Sequence, residues 1–208
     1  MPKKSARSKA KPKKSARSKT MPKKSARSKA MPRKSARSSA SHATKTPAAL
    51  LFGDLESEFA ITRRMLERVP NGQDDWRPHE KSMLLDKLAT HLAQLPGFGI
   101  MILTQDGFDA AGGRPPQPKP ANSAERIKLF ETLSAQMRQL LQGMTWEQAV
   151  APWTFRAGER VVRQSSRAES LRAFVVTHST HHRAQLGVYL RLLGIPIPGS
   201  YGPSADEA

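Results

Sequence analysis

The sequence predicts an all-α domain, four long helices packed as a bundle, behind a basic tail that does not fold. Apolar residues recur at three- and four-residue spacing through four segments between Pro47 and Leu193. Each segment opens on a capping or proline signal and closes on proline or glycine. The 208 residues also divide sharply by charge: residues 1–40 hold 16 of the 35 Lys and Arg and no acidic residue. Residues 41–208 hold the other 19 with all 17 Asp and Glu, a net of +2. The expected organisation is a tail over 1–45 and a bundle domain over 46–208.

The tail is four decapeptides, MPKKSARSKA, KPKKSARSKT, MPKKSARSKA and MPRKSARSSA. Alanine is its one regular apolar residue, so it cannot bury enough surface to offset chain entropy. Pro2, Pro12, Pro22 and Pro32 interrupt any helix. Three roles compete. A solvated tail of recent duplication is the plainest. Non-specific nucleic-acid contact through residues 1–40 is the second, because a Lys, Arg, Ser, Ala and Pro mixture is similar to linker-histone tails and binds phosphates by counterion release. No aromatic residue is present for stacking on bases. A targeting peptide is the third, and the periodic prolines argue against its amphipathic helix. Met1, Met21 and Met31 each open a repeat, which leaves three candidate start sites.

In the body, Thr46-Pro47 starts a first helix and Val69-Pro70 ends it. Leu51, Leu55, Phe59, Thr62, Leu66 and Val69 form its stripe. Asn71-Gly72 turns the chain. Ser82 caps a second helix with an inward stripe of Leu84, Leu88, His91 and Leu95, and Pro96-Gly97 breaks or kinks its end. Residues 105–121 are a loop by composition. Asn122 with Glu125 caps a third helix carrying Ile127, Phe130, Leu133, Met137, Leu140 and Leu141, and Gly143 closes it in a left-handed cap. Thr145 with Gln148 opens a short helix, and residues 155–162 suggest a hairpin about Ala157-Gly158. Ser166 with Glu169 caps the last helix, which runs to Leu193.

Composition excludes several classes. With no cysteine there is no disulfide scaffold, no thiolate-ligated metal and no thiol nucleophile of the chain's own. No apolar run approaches the roughly 20 residues of a membrane span. An apolar signal-peptide core is also lacking, so the expected location is the cytoplasm.

Three histidines fall on predicted inward faces. His91 lies on the second helix's stripe. His178 and His182 stand four apart on the last, in the row Leu171, Val175, His178, His182, Gln185, Tyr189 and Leu192. Side chains at i and i+4 project side by side, so two imidazoles can share one ion, with a third ligand from a facing helix. A lone histidine on an apolar face is ordinarily a hydrogen-bonded core residue. Two in one stripe are harder to satisfy that way, since each buried ring needs partners. On spacing alone His181 remains an alternative to His182. His42 and His79 lie in tail and loop and receive no role. Asp86 falls on a different face from His91 and is left out.

SMLLDKLATHLAQLP (82–96) and HSTHHRAQLGVYLRLLGIPIPGSYGPSADE (178–207) resemble the DinB/YfiT-like metalloenzymes over roughly residues 45–208. The resemblance implies an antiparallel four-helix bundle. It also implies a metal centre of His91, His178 and His182, and so selects His182 over His181. Many members have glycine where Ala184 stands, a small and helix-compatible difference. Three neutral imidazoles leave open positions for water or substrate, which suits zinc first and nickel or iron(II) as alternatives. Zinc would bring bound water toward a pKa of about 7. Family relatives include transferases and isomerases dependent on low-molecular-weight thiols, which implies a thiol-S-transferase or a hydrolase acting on a small molecule, with an external thiol as cosubstrate. The alternative is a non-catalytic metal- or ligand-binding bundle tethered to nucleic acid by its tail. A homodimer is also implied. Gln185 is a candidate to line the pocket or support His182. Arg183 is a candidate structural ion pair or anionic-substrate contact. Pocket walls are expected from the first helix, the 105–121 loop and the 151–165 segment, with Trp153 and Phe155 as candidates.

Overall fold

The computed structural model describes residues 45–113 and 118–207. The decapeptide repeats, their expected lack of structure and His42 lie outside the described residues. The fold is mostly helical. Its longer helices are α2 (Leu55–Leu66), α3 (Leu85–Thr104), α4 (Ser123–Gln142) and α7 (His178–Leu192); α1 (Pro47–Leu51), α5 (Trp146–Val150) and α6 (Arg167–Leu171) are short. Helix α3 packs on α4 and α7, and α2 packs on the same two helices from the other side. Between them lie the buried Leu66, Leu88, Leu92, Met137, Leu186 and Leu190. Phe59 meets Phe130 edge-on at 5.7 Å across the α2–α4 contact.

The all-α expectation is corrected by a three-stranded sheet in the order β1-β2-β3. Strand β1 (Gly107–Asp109) lies within the predicted loop and pairs parallel with β2 (Pro152–Ala157). The predicted hairpin is present and longer than its sequence signal: β2 pairs antiparallel with β3 (Arg160–Ser166) about Gly158, at φ 62°. Asp109 Oδ1 accepts from the N–H groups of Ala111 and Gly158, both at 2.9 Å, and so ties the hairpin turn to β1. The sheet carries aromatic side chains inward. Phe108 stacks on Phe155 at 5.8 Å, and Trp153 is fully buried against Phe98 and Phe174.

Several helix boundaries differ from expectation. The first helix is broken at residues 52–54, where Gly53 brings the chain round. The break is held by Arg172, which donates to the Leu51 carbonyl and pairs with Asp54 at 2.5 Å. That hydrogen bond holds the Asp54 carboxyl below the usual carboxylate range. The second helix begins after Leu84, two residues later than its Ser82 signal, and runs through Pro96 to Thr104. An interior proline costs about 3 kcal/mol. Here the Pro-Gly pair marks close packing instead of a stop. A Cβ on Gly97 would stand 3.3 Å from Leu133 Cδ1, and one on Gly99 2.5 Å from Met137 Sδ, so α3 packs closely on α4 along this side.

Gly143 does end α4, but at φ −85°, in the right-handed region and not the left-handed cap. The last helix is continuous over 167–192 and contains a widened π turn at Arg172–Thr177. Capping boxes form at Thr145/Gln148 and Ser166/Glu169. At the third helix Asn122 caps Glu125, whose carboxylate reaches back to the N–H of Ala121.

Candidate metal centre

Helices α3 and α7 meet where His91 faces the start of α7, and that contact brings three imidazoles together. His182 Nε2 lies 2.7 Å from His178 Nε2, and His91 Nε2 lies 3.5 Å from the same atom. One ligand atom from each residue falls within 4.8 Å of the other two. The His91 ring stands steeply to both partners, at 64° and 86°, with centroids 5.2 and 4.7 Å away. Nitrogen edges therefore converge where stacked faces would have left them apart. The π turn ends immediately before His178, and such turns occur often at functional sites.

His182 is the buried member, with His91 and His178 half-buried. Burial pushes its imidazolium below the ordinary histidine range; the Gln185 hydrogen bond opposes that shift and neighbouring His181 adds to it. The ring is thus held neutral at neutral pH. Gln185 Oε1 stands 2.8 Å from His182 Nδ1. Facing a carboxamide oxygen, Nδ1 is the nitrogen that carries the proton and donates, so Nε2 keeps its lone pair toward the cluster. Gln185 itself is exposed, which corrects its predicted inward position.

The other candidates separate cleanly. His181 is exposed, its ring 4.8 Å from that of His182 and outside the cluster. His79 accepts from the Lys81 N–H in its loop. Asp86 pairs with buried Arg126 at 2.7 Å. Arg183 is almost wholly buried against α2. It donates to Glu58 Oε2 at 2.8 Å, to Thr62 Oγ1 at 3.0 Å and to the Tyr201 hydroxyl at 2.7 Å. Of its two candidate roles, the ion pair is the one present.

Beside the cluster is a cavity of about 180 Å³, lined by His91 and His178 with Gln94, Leu95, Phe98, Phe155 and Phe174. Of the predicted walls only Phe155 contributes. Trp153 lies behind the lining rings, and no described residue of the first helix or the 105–121 loop takes part. Leu95, Phe98 and Phe174 were missed, although their positions relative to the histidines carry a signal. Leu95 and Phe98 follow His91 by four and seven residues, and Phe174 precedes His178 by four, so each shares a face with a cluster member. A larger hollow of about 610 Å³ lies elsewhere, on Ile100, Gln136 and Arg167, and contains no histidine.

Two solved structures share the architecture. A DinB-like protein, YjoA, from Bacillus subtilis aligns with a TM-score of 0.57 at 18% identity, covering 73% of this chain and 97% of its own. A DinB-like protein from Bacillus cereus ATCC 10987 gives 0.54 at 17% identity, covering 73% and 95%. At such identities the likeness is one of fold alone. By sequence, 38 residues are 45% identical to the uncharacterized protein YrdA of Bacillus subtilis (strain 168), which is 18% of this chain and 23% of that protein. The match thus spans less than a quarter of the relative's length. The family model of DinB matches residues 42–208, which takes in every described residue but none of the decapeptide repeats, and the chain belongs to the DinB family.

Proposed function

We propose that His91, His178 and His182 hold one divalent metal ion, zinc first with nickel or iron(II) as alternatives. The chain is then a metal-dependent enzyme of thiol-S-transferase or hydrolase type acting on a small molecule. The frame of this reading is an antiparallel four-helix bundle built from α2, α3, α4 and the continuous helix over 167–192. The convergence of three Nε2 atoms carries the reading. Nitrogens held at 2.0–2.1 Å around a tetrahedral ion stand about 3.3 Å apart. The separations of 2.7 and 3.5 Å lie on either side of that value.

When bound, the ion supplies Lewis acidity, lowering the pKa of water or a thiol and polarising a carbonyl. The chain's residues do the rest. Gln185 fixes the proton on Nδ1 of His182, and the aromatic walls of the neighbouring cavity exclude water. With no cysteine in the chain, a reacting thiol comes from outside as a low-molecular-weight cosubstrate. The test is metal content of the full chain by plasma mass spectrometry, purified without a histidine tag. One ion per chain, lost in a folded His182→Ala variant, is expected. No ion after incubation with zinc, nickel or iron(II) overturns the reading.

A second reading rests on the 16 basic and no acidic residues of 1–40. In it the body binds a metal or small ligand without turnover, and the tail holds it on nucleic acid. The affinity of the full chain for duplex DNA should then fall steeply with salt, and removing residues 1–40 should abolish binding. Binding that ignores salt would exclude it.

A further inference from the structure

We propose that the cavity beside His91 and His178 receives a single-ring or short-alkyl group of the substrate. The substrate class is then a small apolar molecule carrying one polar group that reaches the histidines. This rests on the metal reading above, because it uses the two histidines as the polar end of the pocket. Away from them the walls are Leu95, Phe98, Phe155 and Phe174, with Gln94 as the remaining polar group. Gln94 is itself anchored, its Nε2 donating to the Pro118 carbonyl at 3.1 Å.

The volume sets the size of the occupant. About 180 Å³ is close to the apolar cavities of roughly 150 Å³ that stay dry and take up benzene. The walls are braced against collapse, since each aromatic ring leans on others. Phe98 meets Phe108 at 5.7 Å and Phe174 at 5.5 Å. Phe155 meets Phe174 edge-on at 5.6 Å. A multiply polar thiol cosubstrate would leave its polar groups unpaired against these rings. It therefore approaches the cluster from another side, and the cavity is left to the electrophilic or hydrolysed partner.

Fluorobenzene is the probe, followed by fluorine NMR with the full chain, metal-free and after cobalt(II) addition. Saturable binding is expected in the wild type. Filling the cavity by Phe155→Trp or Phe174→Trp should weaken it about tenfold or more, with helical circular dichroism retained. Cobalt should broaden the bound fluorine line, which places the ring beside the histidines. Absent binding, binding equally tight in both filled variants, or no broadening in cobalt-loaded protein overturns the proposal. Cobalt loading is read independently from its visible absorption. Fluorobenzene bound without any cobalt uptake would sink the metal reading and leave the cavity assignment standing. Cobalt uptake without fluorobenzene binding would do the reverse.

Discussion

Arg183→Ala should lower the unfolding free energy by about 3–5 kcal/mol, the usual result of removing one partner from a buried ion pair. Both charges are withdrawn from water: the side chains of Arg183 and Glu58 are 2% and 9% exposed, and their atoms meet at 2.8 Å. Removing the guanidinium leaves the Glu58 carboxylate with only the hydroxyls of Tyr201 and Thr180, at 3.1 and 3.5 Å. It also takes one donor from Tyr201, whose ring lies 5.5 Å from the guanidinium carbon and whose hydroxyl accepts from Arg183. The double exchange Arg183→Met with Glu58→Leu should recover most of the loss, because it removes both charges and keeps the volume. Urea unfolding of the two variants beside wild type checks this. An Arg183→Ala midpoint equal to wild type would mean the pair contributes nothing.

His178→Ala should reduce metal affinity about 100-fold or more. Structural zinc sites bind with about 10–16 kcal/mol shared among four ligands, so each ligand accounts for roughly 3 kcal/mol. His178 is the sharpest choice because its Nε2 is the atom that both other rings approach. Gln185→Ala, which removes the hydrogen bond to His182 Nδ1 but no ligand, should cost about tenfold. His181→Ala should change nothing, its exposed ring lying outside the cluster. Competition titration with a zinc chelator orders the three. Equal affinities for His178→Ala and His181→Ala would remove the histidine cluster as the binding site.

Local signals were the legible part of this fold. Thr46, Asn122, Thr145 and Ser166 cap helices as their side chains and neighbours predict, and Gly72 and Gly158 take positive φ where turns were expected. What escaped depends on distant partners. Strand β1 has three residues and no alternation of its own; it exists because β2 arrives beside it. Pro96 reads as a helix end until the packing of Gly99 on Met137 and Val175 is known. The π turn at Arg172–Thr177 has no sequence mark at all.

The candidate site follows the same division. Spacing brings His178 and His182 onto one stripe, but the choice against His181 needed the helix's orientation or the family resemblance. Which of Arg183's two candidate roles holds was not legible locally, because its partner Glu58 lies on another helix, more than a hundred residues earlier. Phe155 lines the cavity as expected, whereas Phe98 and Phe174, which pack around it, were not among the expected walls.

The parallel pairing of β1 with β2 also bears on the order in which the molecule assembles. Contacts between α3 and α4 join neighbours in sequence and close only the connection over residues 105–122. Pairing Gly107 with Thr154 must first enclose the whole of α4 and α5. Loop-closure entropy makes such distant pairings late events. Phe155, and with it the aromatic side of the cavity, therefore takes its place only after the α3–α4 scaffold that carries His91 has formed. By the same reasoning this strand pair is where native-state hydrogen exchange would open before the helices do.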